Sequence, residues 1–108
     1  MGMNESDFQA AAERTLGAVE IAVEACDADI ETTRTGNVLT LELADGSKVV
    51  VNSQMPMRQI WVAARSGGFH FEWRDGAWRD TRDGSELFAA LSRVISAQGG
   101  TAVLLRAG

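Results

Sequence analysis

The chain has 108 residues, 45% apolar and 23% charged, the proportions of one ordinary soluble domain with a single core over residues 1–108. No apolar run approaches the roughly 18 residues that would cross a bilayer, and no basic stretch leads into an apolar one, so neither a membrane span nor a secretory signal is expected. A single cysteine, Cys26, and a single histidine, His70, exclude an intrachain disulfide and any site that needs several thiolates or imidazoles.

The net charge of −5 is unevenly spread. Glu5, Asp7, Glu13, Glu20, Glu24, Asp27, Asp29 and Glu31 face only Arg14 within the first quarter, whereas the remainder is slightly basic. Such a field suits cations or a basic protein surface and repels nucleic acid. At the extreme N-terminus, Met1-Gly2 with Ser6 fits the myristoylation pattern, a short and common match. Met3-Asn4 is the expected natural start.

In chain order, the first element reads as a helix. Phe8, Ala12, Leu16, Val19 and Val23 recur at spacings of three and four. Asn4 or Ser6 is placed to cap it, and it should end near Cys26. The period then changes to two. A short strand is expected around Ile30 to Arg34, then Val38–Leu43, a turn at Asp45-Gly46, and Lys48–Asn52. Pro56 places Ser53 to Met57 in a loop. Gln59–Ala63 follows, then a turn at Gly67-Gly68, Phe69–Trp73, a turn at Asp75-Gly76, and Ala77–Asp80. A capping box of Asp83 and Glu86 should open a second helix with Leu87, Phe88, Leu91, Val94 and Ile95 buried and Gly99-Gly100 as its stop. Tight turns imply an antiparallel meander. The expected fold class is therefore α+β, a two-layer sandwich of helix, antiparallel sheet of about six strands, and helix, both helices on one face.

Two surfaces draw attention. At 100° per residue, Glu13, Glu20, Glu24 and Asp27 fall within about 60° of one another on the first helix, lining one exposed edge. Acids at the C-terminal end of a helix oppose its dipole, and Glu20 and Glu24 repel each other at i,i+4. Carboxylate oxygens suit iron, manganese, magnesium or calcium. A solvated face, a weak metal site and a docking surface for a basic partner all fit. On the sheet, burial of Ile60 and Val62 sends Gln59 and Trp61 outward, with Asn52 outward on the preceding strand and His70 and Glu72 outward on the next. Phe69, Phe71 and Trp73 are expected to point inward. An exposed tryptophan between amides has the form of a protein-contact anchor, provided the strand parity holds. Cys26, at the end of an acidic helix, is poorly placed to be a thiolate nucleophile.

The run Asn52-x-Gln54-x-Pro56-x-x-Gln59-Ile60-Trp61-Val62-Ala63, then Gly67-Gly68-Phe69-His70-Phe71, Trp78 and Asp83-Gly84, resembles the core of the frataxin family. Gly36-x-Val38-Leu39-Thr40-Leu41, Asp45-Gly46-Ser47-Lys48 and Asn4-x-Ser6-x-Phe8 extend the resemblance, to bacterial members in particular, over nearly the whole chain. The resemblance implies a helix, an antiparallel sheet and a second helix. It also implies a non-enzymatic, bacterial cytoplasmic protein that binds iron (Fe²⁺ or Fe³⁺) weakly and regulates or supplies iron–sulfur cluster assembly. Its implied partners are cysteine desulfurase and the iron–sulfur scaffold protein, with a monomer expected and iron-dependent oligomers as the variant. By the same resemblance the metal ridge maps to Glu13, Glu20, Glu24, Asp27, Asp29 and Glu31, and the partner-binding sheet surface to Asn52, Gln59 and Trp61. Ile21 and Ala25 stand where bacterial relatives often carry further acids. A ferroxidase or iron-storage protein is the enzymatic alternative, although the chain lacks the Glu-x-x-His pairs of buried di-iron sites. An interaction module with incidental metal binding is the third.

Overall fold

The computed structural model describes residues 3–106. Met1 and Gly2, on which the myristoylation match rests, lie outside the described residues. The elements run α1 (Glu5–Ala25), β1 (Glu31–Thr35), β2 (Val38–Glu42), β3 (Lys48–Gln54), β4 (Gln59–Ala64), β5 (Gly67–Arg74), β6 (Ala77–Asp80) and α2 (Leu87–Gly99). The six strands form one antiparallel sheet in sequential order. The α+β sandwich expected from the periodicity is the observed fold.

Local chemistry explains where each element begins and ends. Asn4 caps α1, its side-chain oxygen accepting from the Asp7 amide at 2.8 Å, and Glu5 and Asp7 sit where the helix dipole favours anions. Asp75 and Gly76 both have positive φ, +54° and +78°, the geometry of a two-residue turn whose twist matches the strands it joins. Ser47 closes the β2–β3 turn by donating from its hydroxyl and its amide to the Asp45 carboxylate, which holds that carboxyl below the usual carboxylate range. A depressed folded-state value means that this contribution to stability is present above about pH 4 and fades as pH falls through the lowered value.

Three expected boundaries differ from the structure. Ser53 and Gln54, expected in the loop around Pro56, still pair in β3 with Ile60 and Gln59, and the turn is confined to residues 55–58. The β4–β5 turn is Arg65-Ser66, and Gly67 and Gly68 already pair in β5 with Ala64 and Ala63. The second helix starts at Leu87 rather than at an Asp83 cap. Glu86 is its N-cap, and one carboxylate accepts from both the Phe88 and Ala89 amides at 2.8 and 3.1 Å. Asp83 instead accepts from the Ser85 amide, which holds its carboxyl below the ordinary value. The nearby Arg79–Glu86 bridge extends the sheet edge and keeps Glu86 outside the helix.

A single hydrophobic core lies between the helices and one face of the sheet. Phe8, Leu16, Val19 and Val23 of α1 and Leu87, Leu91 and Ile95 of α2 cover Leu39, Leu41, Val49, Val51, Ile60 and Phe71. Trp78 joins the layers, packing edge-on to Phe8 at 6.0 Å and donating its indole N–H to Thr15 Oγ1 at 2.8 Å. Thr15 in turn donates to the Ala11 carbonyl, so this polar pair within the core is fully satisfied. Phe71 is buried and Phe69 partly so, but Trp73 remains 45% exposed, resting edge-on against Trp78 at the rim of the core.

The segment after α2 returns along it. Ser92 and Ser96, one turn apart, accept from the Leu105 and Val103 amides, each at 2.8 Å. Four helical residues rise about 6 Å and two extended residues about 6.6 Å, so alternate tail amides match serines spaced by four. Ser92 is buried and also donates to the Phe88 carbonyl. Ser92→Ala would orphan the buried Leu105 amide and is expected to cost about 1–3 kcal/mol. Ser96→Ala, at a half-buried site, should cost less. The two midpoints of urea unfolding, measured against the parent chain, check both the magnitude and the order.

Candidate functional site

The six acids expected on the ridge, four from helical periodicity and Asp29 and Glu31 from the family resemblance, are divided by the structure into three groups. Glu13 and Glu20 of α1 both meet Arg34 of β1, at 2.7 and 3.8 Å. Arg34 shares a strand face with Thr32, and its partner across the ladder is the buried Leu39, so its side chain lies on the helix side of the sheet. That long-range cation corrects the expectation that Arg14 is the only base near the ridge. The Arg34 side chain is 20% exposed, which makes it a half-sheltered strut between helix and sheet edge rather than a solvated charge.

Glu24, Asp27 and Asp29 form the second group. Glu24 lies in the last turn of α1, Asp27 just past the Cys26 C-cap, and Asp29 in the connection to β1. All three are exposed, and none is in an ion pair among the described residues. The last turn of α1 carries no basic residue, so the negative end of the helix dipole adds to their field. Cys26 donates its thiol to the Val23 carbonyl at 3.1 Å and is only partly exposed. Ile21, 68% exposed, and Ala25 interrupt the acidity on the adjoining helical face.

Glu31 forms the third group. It opens β1 with the parity opposite to Arg34 and pairs across the ladder with Glu42, whose own neighbour is Lys48. Its carboxylate therefore belongs to the open face of the sheet. Among the described residues no three Asp, Glu, His or Cys side chains converge on a common point that would hold a metal ion. The edge supplies carboxylates one or two at a time.

The other predicted surface is assembled as the alternation requires. Val38, Asn52, Trp61 and His70 lie side by side across β2 to β5, and Gln54, Gln59, Glu72 and Arg79 form the next row across β3 to β6. Both rows are on the face away from the helices, because they alternate along their strands with core residues such as Val51, Ile60 and Phe71. Side chains here are held by one another. The Trp61 indole donates to Gln59 Oε1 at 2.8 Å, and the Gln54 side-chain amide donates to Asn52 Oδ1. His70 stacks on Trp61 with ring centroids 4.3 Å apart and planes within 11°. Sequence parity finds Asn52, Gln59 and Trp61. It also turns His70 outward, but the stack depends on the β4–β5 register and so on the position of the turn.

A further opening of about 600 Å³ lies between α1 and the β1–β2 turn, lined by Phe8, Glu13, Arg34, Asn37 and Met55 among others. It adjoins the Arg34 strut. No helix among the described residues is long and apolar enough to cross a membrane.

Comparison with known proteins agrees with this architecture. The family model described as a Frataxin-like domain matches residues 1–101. A protein of Ralstonia nicotianae named iron–sulfur cluster assembly protein CyaY is 57% identical over 100 residues, covering 89% of this chain and 88% of that protein. Among solved structures, the frataxin of Psychromonas ingrahamii superposes with a TM-score of 0.87 at 33% identity, covering 94% of this chain and 97% of that one. A trimeric frataxin from the yeast Saccharomyces cerevisiae, complexed with ferrous, gives a TM-score of 0.67 at 26% identity over 94% of this chain and 90% of that one. With a family model spanning nearly the whole chain and a relative of this identity, the protein belongs to the frataxin family.

Proposed function

We propose that this chain is a non-enzymatic, iron-binding component of iron–sulfur cluster assembly, working in the bacterial cytoplasm. In this reading it regulates or supplies iron to the machinery by contact with cysteine desulfurase and the scaffold protein. The observation that carries the reading is the trio Glu24, Asp27 and Asp29, exposed at the negative end of α1 and without ion-pair partners among the described residues. Hard and borderline cations take such oxygen donors. A set that does not converge implies weak binding with much of the ion's hydration retained, which suits a metal that is cargo rather than a resident cofactor. The relative named as an iron–sulfur cluster assembly protein and the yeast frataxin in complex with ferrous support the same direction.

The carboxylates serve a second purpose in this reading. A basic surface on cysteine desulfurase docks against the same edge, so iron and partner compete for or share it. The Asn52–Gln59–Trp61 platform faces elsewhere, on the open sheet, and contacts the desulfurase–scaffold complex. Its mutual hydrogen bonds present a flat aromatic and amide surface at low entropic cost to the partner.

Three measurements check this. Anaerobic titration of the ¹⁵N-labelled chain with Fe²⁺ should broaden the amides of Glu24, Asp27 and Asp29 first, with Mg²⁺ as control. Broadening that is diffuse, or absent, removes the iron-binding reading. Replacing Glu20 and Glu24 with lysine should weaken desulfurase binding by about tenfold at low salt, with the difference shrinking as salt rises. Arg34→Gln releases Glu13 and Glu20 from their shared cation. Ion pairs this exposed are worth about 0–1 kcal/mol, so the melting temperature should change little. Fe²⁺ affinity should rise by roughly twofold to fivefold as the field along the edge becomes more negative.

A further inference from the structure

His70 is a member of the open-face row that no role above accounts for. It lies directly opposite Trp61 in the β4–β5 ladder and stacks on it almost flat, at 4.3 Å and 11°. The indole is held at its other polar end by Gln59 Oε1, so amide and imidazole together fix the ring's position and tilt. Without the imidazole, a half-buried tryptophan on a flat sheet face would keep one hydrogen bond and lose its stacking support.

We propose that His70 is a positioning residue of the docking platform, holding Trp61 in its contact geometry for the desulfurase–scaffold complex. The inference rests on the platform reading above. The strand that carries the ring is itself fixed at this point. Glu72, the next residue on the open face of β5, binds Arg74 at 2.8 Å and stands opposite Arg79 on β6. Thr81 donates its amide to the His70 carbonyl, which ties the strand down at that residue. The imidazole is thus presented to the indole from a backbone position that cannot shift without breaking these contacts.

The test uses the full chain and the purified desulfurase–scaffold complex, with affinity measured at one fixed pH. His70→Ala should lose about fivefold to tenfold in affinity, the size of one aromatic pair. His70→Phe keeps a ring under Trp61 and should bind within about twofold of the parent. A readout free of the partner is the Trp61 indole N–H resonance, which should move further in His70→Ala than in His70→Phe. If His70→Ala binds like the parent while Trp61→Ala abolishes binding, the role of His70 is refuted and the platform stands. If Trp61→Ala is also without effect, or the parent does not bind, the platform falls and His70 with it.

Discussion

One face of the antiparallel sheet must be covered, and the cover decides nearly everything else. With Leu39, Val51, Ile60 and Phe71 buried against two helices, no strand can slip by one residue without turning its apolar side chains into water and its polar ones into the core. Register is therefore pinned on one side of the sheet and read out on the other. The row Asn52, Trp61, His70 on the open face is the shadow of the core row beneath it. A platform made this way is as rigid as the core that sets it, although none of its residues is buried.

The same cover explains the acidic edge. Because α1 lies along β1, a side chain on the helix side of β1 reaches the flank of α1, and Arg34 does so. It neutralises the middle of the ridge and leaves the acids at the helix end free. Charge that looks like one continuous stripe on a helical wheel is, in three dimensions, a braced segment followed by an unbraced one. The free segment coincides with the end of the helix whose backbone carbonyls are themselves partly negative, so its field is stronger than its residue count suggests.

The fold was legible because both periods are strong. Apolar residues three and four apart on α1, alternation from Val38 to Val51, and Asp-Gly at the tight turns leave little freedom in element type or order. The site was legible only where parity alone decides. Asn52, Gln59 and Trp61 needed no more than alternation from their buried neighbours. Arg34 needed the facing of a five-residue strand, Glu-Thr-Thr-Arg-Thr, that has no apolar alternation to reveal it, together with a contact across 21 residues of chain. Glu31, grouped with the helix acids by the family resemblance, is turned away from them by the same strand. The stack needed the turn. Pairing of Ala64 with Gly67 sets Trp61 opposite His70, whereas a turn at Gly67-Gly68 would carry the pairing four residues further, to Arg74. Glycine pairs mark turns well when φ must be positive. Here Gly67 has φ of +139° at the first position of the strand and Gly68 is ordinary backbone, so the pair misled by two residues.

Core, edge and platform also divide the physical work in a way that bears on function. In the proposed reading, binding at the acidic edge would be electrostatic and exposed, hence weak, screened by salt and open to exchange between an ion and a basic surface. Contact at the platform would depend on shape and on an aromatic ring already held in place, which salt barely touches. A protein that had to hold iron permanently would bring its carboxylates together, and the described residues do not. One that had to meet a partner while carrying a labile ion would keep the two surfaces apart and let one respond to charge and the other to geometry. The Arg34 strut fits that division: it engages Glu13 and Glu20 and leaves the unpaired carboxylates at the helix end as the ones that would attract an ion.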